Sequence, residues 1–266
     1  MSNLKRAWTN DKYVSDKAAQ AFIQYLRGHR GDLINIGNYV FDSFSLRKKI
    51  CLSKCLSCLK YQSENCCCGN SYSMPKEVCN KLLDEYFKIV KIIPDNQLDK
   101  SRFSALTTYG ATSTCGHVNG WCGFSYFDGI DKTQKCAIHA YCLQNNLNPF
   151  DFKPPACSLF PIEGIIMPND NVVIFCSCKE TSNFTMFFYT LSRRPCVNTE
   201  TFERILSSDM KFSKYLRTLK RDNIIADKEE LMRAYRPAYI EQEKVLRYFL
   251  GDDVYSRLRE IIDVKM

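Results

Sequence analysis

The sequence predicts an α+β fold, a cysteine-rich and loop-rich domain closed by a helical C-terminal cap. Three observations predict it. Apolar residues at helical spacing stand near both ends of the chain, a short apolar run rich in β-branched residues stands at 171–178, and fifteen cysteines, none beyond Cys196, crowd the region between. The division expected is a helical lead-in over residues 1–44, a cysteine-cluster domain over 45–198 and the cap over 199–266. At 266 residues the chain is long enough to bury a substantial core, and its 45% hydrophobic and 25% charged content is ordinary for a globular protein.

Ser15-Asp16 reads as the first helix start, with Ala19, Phe22, Ile23 and Leu26 along one face and Gly28 as the stop. Ser73 and Pro75 open a second helix. Its stripe runs Val78, Leu82, Tyr86, Ile89, Val90, Ile93, and Pro94 ends it. Cys79 lies close to that stripe and reads as a core thiol. Residues 100–165, dense in Gly, Cys, Pro and aromatics, read as irregular. "NVVIFCSC" and "FTMFFYTL" flank the polar "KETSN" and predict a β-hairpin, with Cys176 and Cys178 buried on one strand face. Three helical segments come last: about 199–220, one from near Asp227 that is interrupted at Pro237, and 252–263 after a stop at Gly251.

No basic-then-apolar leader opens the sequence, and no apolar run approaches the ~18–20 residues that span a bilayer. The expectation is a cytoplasmic protein with no membrane partner and reduced thiols. Residues 1–60 carry eleven Lys/Arg against four Asp, so most of the formal +8 charge sits there. That basic lead-in could serve a macromolecular partner, but nucleic acid is not expected because no recognised nucleic-acid module accompanies it. Arg47, Lys48 and Lys49 could also offset thiolate charge in the nearby cysteines that begin at Cys51.

"CLSKCLSCLKYQSENCCCG", residues 51–69, holds six cysteines. Cys51, Cys55 and Cys58 have the C-x3-C-x2-C spacing of radical-SAM enzymes, but neither repeated strand–helix units nor a glycine-rich SAM contact accompanies them. Zinc takes four ligands, often from two-residue-spaced hooks; Cys55-x2-Cys58 is one, and Cys136-x2-His139 could be another. The triplet Cys66-Cys67-Cys68 suits one small tetrahedral site poorly. A cubane cluster is wider and can draw thiolates from two distant groups. Cys115, Cys142 and Cys196 remain as extra thiols, and His29 and His117 have no partner pattern.

Downstream, Cys122, Cys136-Ala-Ile-His139, Lys153-Pro154, Cys157 and Phe160-Pro161 come after an upstream group that contains Cys55, Cys58 and a double cysteine. In that order they resemble the YkgJ-type CxxCxxCC family, over about residues 45–190. That family is described as a zinc- or iron-chelating domain and includes the cluster-bearing portion of flagellin lysine N-methylases. The resemblance implies a metal-binding domain with ligands among Cys55, Cys58, Cys66, Cys67, Cys68, Cys122, Cys136 and Cys157. Either Cys66-Cys67 or Cys67-Cys68 matches the family's pair, and seven residues separate Cys58 from the triplet where the short motif has two. It further implies an iron–sulfur cluster of the 4Fe–4S type, or zinc, with a redox or methyl-transfer-related role. A zinc-stabilised interaction module without catalysis is the alternative, and a radical-SAM-type enzyme is a third.

Overall fold

The computed structural model describes residues 3–9, 13–52, 74–98, 122–128, 133–186 and 233–264. The expected ligands Cys55, Cys58, Cys66, Cys67 and Cys68 lie outside the described residues, as do Cys115, His117, Cys196 and the helical segment expected over 199–220.

In chain order the first elements are β1 (Lys5–Arg6), α1 (Asp16–Gly28), β2 (Leu33–Ile36), β3 (Tyr39–Asp42), α2 (Ser43–Leu46) and β4 (Lys49–Ile50). Then come α3 (Lys76–Asp84), α4 (Tyr86–Val90), β5 (Ser125–Asp128), β6 (Thr133–Cys136), α5 (Ala137–Gln144) and α6 (Pro155–Leu159). The last are β7 (Ile162–Ile166), β8 (Val172–Cys176), β9 (Arg236–Pro237), α7 (Ala238–Glu241), α8 (Glu243–Leu250) and α9 (Asp252–Val264). They gather into two compact units. The described part of the first is 3–7, 13–52, 159–186 and 233–264; that of the second is 8–9, 74–98, 122–128 and 133–158.

The first unit is built on a five-stranded sheet of order β1-β7-β8-β3-β2, antiparallel except for the parallel pair β3–β8. Helix α1 forms where the apolar spacing predicts. Ser15 caps it by accepting from the Ala18 N–H, and Asp16 and Arg27 complement its dipole at either end. Its buried face carries Ala19 and Phe22 onto the sheet residues Ile165, Val173 and Phe175, and the Phe22 ring meets Phe184 edge-on at 5.2 Å. Burying one such phenylalanine contributes about 1.5–3 kcal/mol. Residues 33–42 form a hairpin that the helical lead-in did not anticipate. Gly37 takes φ 59° in its two-residue loop, where a tight hairpin needs the left-handed conformation.

The hairpin expected across "KETSN" is corrected. Strand β8 forms, but its neighbours are β7 and β3, so both edges are filled and residues 184–186 are not strand. The rest of the expected second arm lies outside the described residues. The segment after β8 folds instead over a buried carboxylate. Glu163 receives Arg6 Nη1 at 2.8 Å, Ser177 Oγ at 2.6 Å, the Thr185 hydroxyl and the Met186 N–H. Arg6 also donates to the Phe184 carbonyl.

The C-terminal helices join this unit. Strand β9 pairs with β4, α9 packs against β2 with Tyr255, Leu258 and Ile262 buried, and Gly251 at φ 89° separates α8 from α9. Two of the three cations at 47–49 are engaged here. Arg47 donates to the Ile262 carbonyl at 3.3 Å, and Lys48 bonds Glu180 at 2.8 Å while lying over the Phe44 ring; Lys49 is exposed. Among the described residues no helix is long and apolar enough to cross a membrane.

The Arg6–Glu163 pair sits in the core with side chains only 8% and 2% exposed, so removing one partner strands a charge. Arg6→Met should cost about 3–5 kcal/mol in urea unfolding. The double variant Arg6→Met/Glu163→Leu should cost less than Arg6→Met alone, because no buried charge remains unbalanced.

Candidate metal centre

The second unit begins with α3 and α4. The sequence predicts one helix here, but it breaks at Glu85, whose N–H reaches the Lys81 carbonyl at 3.3 Å and whose carboxylate is held by the Tyr141 hydroxyl at 2.5 Å and by Lys88 at 2.8 Å. Lys88 first and then Tyr141 hold that carboxyl below its ordinary range. The apolar stripe survives the break. Met74, Cys79, Leu82, Tyr86, Ile89 and Ile93 form one buried cluster with Phe124, Ala137, Ile138, Tyr141 and Cys142. Cys79 is 1% exposed and packs as a core thiol.

The described part of residues 100–165, expected to be irregular, contains ordered elements. Strands β5 and β6 pair antiparallel with Ser125 opposite Cys136 and Asp128 opposite Thr133. The Gln97 side-chain amide extends the ladder, donating to the Phe127 carbonyl at 2.9 Å and accepting the Phe127 N–H at 2.7 Å. At the open end of the hairpin, the Cys122 carbonyl accepts from the Ser125 N–H at 2.9 Å and the Ser125 hydroxyl at 2.8 Å. Across from it, the Ala137 N–H donates to the Phe124 carbonyl at 2.8 Å. These bonds bring Cys122 and Cys136 to the same end of the hairpin, where both half-buried side chains pack against the apolar cluster.

Cys136 is also the residue from which α5 starts. It makes no capping hydrogen bond, yet the Ile138 and His139 amides act on its sulfur in the direction that favours thiolate, as does the nearby Lys153 ammonium. Burial outweighs them and pushes the thiol up. Cys142, fully buried farther along α5, is pushed up to about 11, chiefly by burial. His139 is exposed at the start of α5, though the protein around its ring desolvates it in part, and this, followed by the Lys153 charge, lowers its basicity. Cys157 belongs to the same unit, half-buried on α6, with its N–H bonded to the Pro154 carbonyl at 2.9 Å.

Of the eight expected ligands, three are therefore described, and two of those three are brought together. Among the described residues no group of three or more His, Cys, Asp or Glu side chains is arranged to hold a metal ion, and no disulfide is present. The described thiols suit zinc or iron–sulfur chemistry but do not make a complete donor set. Lys153, a motif position in the sequence, lies four residues before Cys157; its charge influence on Cys136, in the direction that favours thiolate, is not something spacing alone conveys. His29, in the first unit, does have a partner, with Nδ1 3.3 Å from Asp32 Oδ2, and its ring lies between Tyr25 and Phe44. Comparison with protein-family models, curated proteins and solved structures finds no match to this chain.

Cys176 and Cys178, in the first unit, are buried as expected. Burial drives the Cys176 thiol well up, and burial followed by its hydrogen bond to Glu180 drives Cys178 up to about 12. An unfolded chain ionises such thiols near ~8.5. Above that pH the unfolded state binds fewer protons than the folded one, so stability falls with rising pH from ~8.5 until Cys178 itself ionises near about 12. Chelator-treated protein should thus lose stability between pH 8 and pH 10, and Cys178→Ala should flatten the slope. Equal slopes for the two proteins in denaturant unfolding would show that the Cys178 thiol is not held neutral.

Proposed function

We propose that the protein is a metal-binding cysteine-cluster protein that holds an iron–sulfur cluster, with a redox or methyl-transfer-related role. The observation that carries this reading is the hairpin register that brings Cys122 and Cys136 to one end of β5–β6. Cys157 would add a thiolate from α6, and Cys55, Cys58 and the triplet at 66–68 would supply the rest. A bound cluster supplies one-electron chemistry there. The chain's own part is to keep water from one side of Cys136 with the Phe124–Ile138 cluster and to aim the α5 amides at its sulfur. Because burial keeps Cys136 protonated near neutrality, ligation releases a proton and metal affinity rises with pH.

A zinc-stabilised interaction module is the second reading. The observation favouring it is Cys136-x2-His139 at the start of α5, with an exposed imidazole whose lowered basicity keeps it in the neutral, metal-binding form.

Anaerobically purified protein should be brown and contain iron and acid-labile sulfide. Cys136→Ala and Cys157→Ala should each remove most of the metal. Cys79→Ala should keep it and cost only about 1 kcal/mol of packing. Full metal content in both ligand variants would defeat the shared centre. Colourless protein with stoichiometric zinc and no sulfide, after growth with ample iron, would decide for the zinc module.

A further inference from the structure

Helix α1 and the polar turn after β8 line a cleft of about 360 Å³ that lies wholly in the first unit. A cleft of that size accommodates a small molecule. Its walls are fixed by the fold. Thr181, fully buried in the turn, accepts the Cys178 N–H on its hydroxyl at 2.8 Å and the Phe184 N–H on its carbonyl at 3.1 Å. The Phe184 ring packs edge-on against Phe22 at 5.2 Å and Phe175 at 5.1 Å. On α1, Tyr25 and Gly28 both line the cleft, and a Cβ at Gly28 would meet nothing within 4 Å, so the glycine leaves room beside the rings. Walls held this way spare a ligand the cost of ordering them.

Three rings line the cleft, Tyr25, His29 and Phe184, and Glu180 brings a carboxylate to it. The rings continue past the cleft, since His29 stands 4.3 Å from Tyr25 and 4.6 Å from Phe44. At the Phe44 end an ammonium is already held: Lys48 Nζ lies 4.3 Å over that ring and 2.8 Å from Glu180. At the cleft end two of the rings carry acids of their own. The Tyr25 hydroxyl donates to buried Asp42 at 2.7 Å, and His29 Nδ1 is 3.3 Å from Asp32 Oδ2. A carboxylate bonded to a ring adds to the negative potential that its face offers a cation. The nearby cations Arg27, Arg30 and Lys179 are exposed and do not line the cleft.

We propose that this cleft binds a small organic ammonium, its charge set against Glu180 and its apolar body against the Tyr25 and Phe184 rings. An anion would meet the Glu180 carboxylate and the negative faces of the rings. A neutral molecule of the same shape would gain the ring contacts without the charge. Lys48 then acts as a built-in competitor, because its ammonium uses the same carboxylate and repels a second cation. The site stands or falls independently of the cysteine centre, with which it shares no residue.

The test titrates the full chain, by ligand-observed NMR, with phenethylammonium and with phenethyl alcohol, which has the same framework without the charge. The cation should bind about tenfold more tightly than the alcohol at low salt. That gap should shrink at high salt. Glu180→Gln should weaken cation binding about tenfold and leave the alcohol unchanged. Lys48→Met should do the opposite and tighten cation binding severalfold. The two side chains are 34% and 36% exposed, so both variants should melt close to wild type. Nα-acetyl-lysine amide presents the ammonium of a protein side chain, and whichever cation binds more tightly names the source, a free amine or a protein lysine. Equal affinity for cation and alcohol, or no binding of any probe, would overturn the proposal. Weaker cation binding in both Glu180→Gln and Lys48→Met would also overturn it, by making the packing of the pair the cause.

Discussion

The constraint on which the chain's organisation depends is the parallel pairing of β3 with β8. It sets Tyr39 beside Val172 and Phe41 beside Ile174, joining segments more than 130 residues apart. A parallel pair cannot be closed by a tight turn, so the chain must leave the sheet and return to it. Here the excursion is long enough to fold as a unit of its own, and nearly all of the cysteine unit is an insertion between β4 and β7. The sheet unit is then completed from three separated stretches: the N-terminal strands, the β7–β8 pair and the C-terminal helices. Glu163 ties two of them together chemically, since Arg6 comes from β1 while Ser177 and Thr185 lie just beyond β8.

How much of this could be read from the sequence depends on how local the deciding force is. Helix α1 was legible down to its cap, because Ser15 and the Ala19–Phe22 face lie within two turns of one another. The hairpin at 33–42 was equally local and carried a signal, Gly37-Asn38 between "LINI" and "YVFD", that the expectation of a helical lead-in passed over. Strand β8 shows the opposite case. Its polar turn "KETSN" pointed to a local partner, but an apolar run buried on both faces suits the middle of a sheet, and β7 and β3 claimed both edges. The break at Glu85 was also invisible, since it involves Tyr141, 56 residues away.

The candidate centre was legible as an ordered set of residue types, not as geometry. Cys122 and Cys136 stood out as motif positions, but what joins them is the register that sets Ser125 against Cys136, and that depends on backbone pairing. Cations were the least legible part. Arg47 and Lys48 stand closest in sequence to the cysteine stretch, yet each has a partner in the sheet unit, Ile262 and Glu180. Lys153 precedes Cys157 by four residues, and what the spacing does not show is that the turn before it, Pro149–Asp151, packs on α5, the helix that starts from Cys136.

The thiols therefore divide by environment rather than by spacing. Cys79, Cys176 and Cys178 sit at 1%, 0% and 5% exposure, with burial as the chief influence on each; acid charge adds to it at the last two, while Lys48 at Cys176 and the Thr181 hydrogen bonds at Cys178 pull the other way. Such sulfurs behave as small apolar groups whose ionisation the fold opposes. At Cys136 burial is again the largest influence, opposed by the Lys153 charge and by the His139 and Ile138 amides and reinforced by Cys122. What separates Cys136 from Cys79, Cys176 and Cys178 is exposure: its side chain and that of Cys122 stay half-buried at the end of a hairpin, whereas the other three are buried in a core.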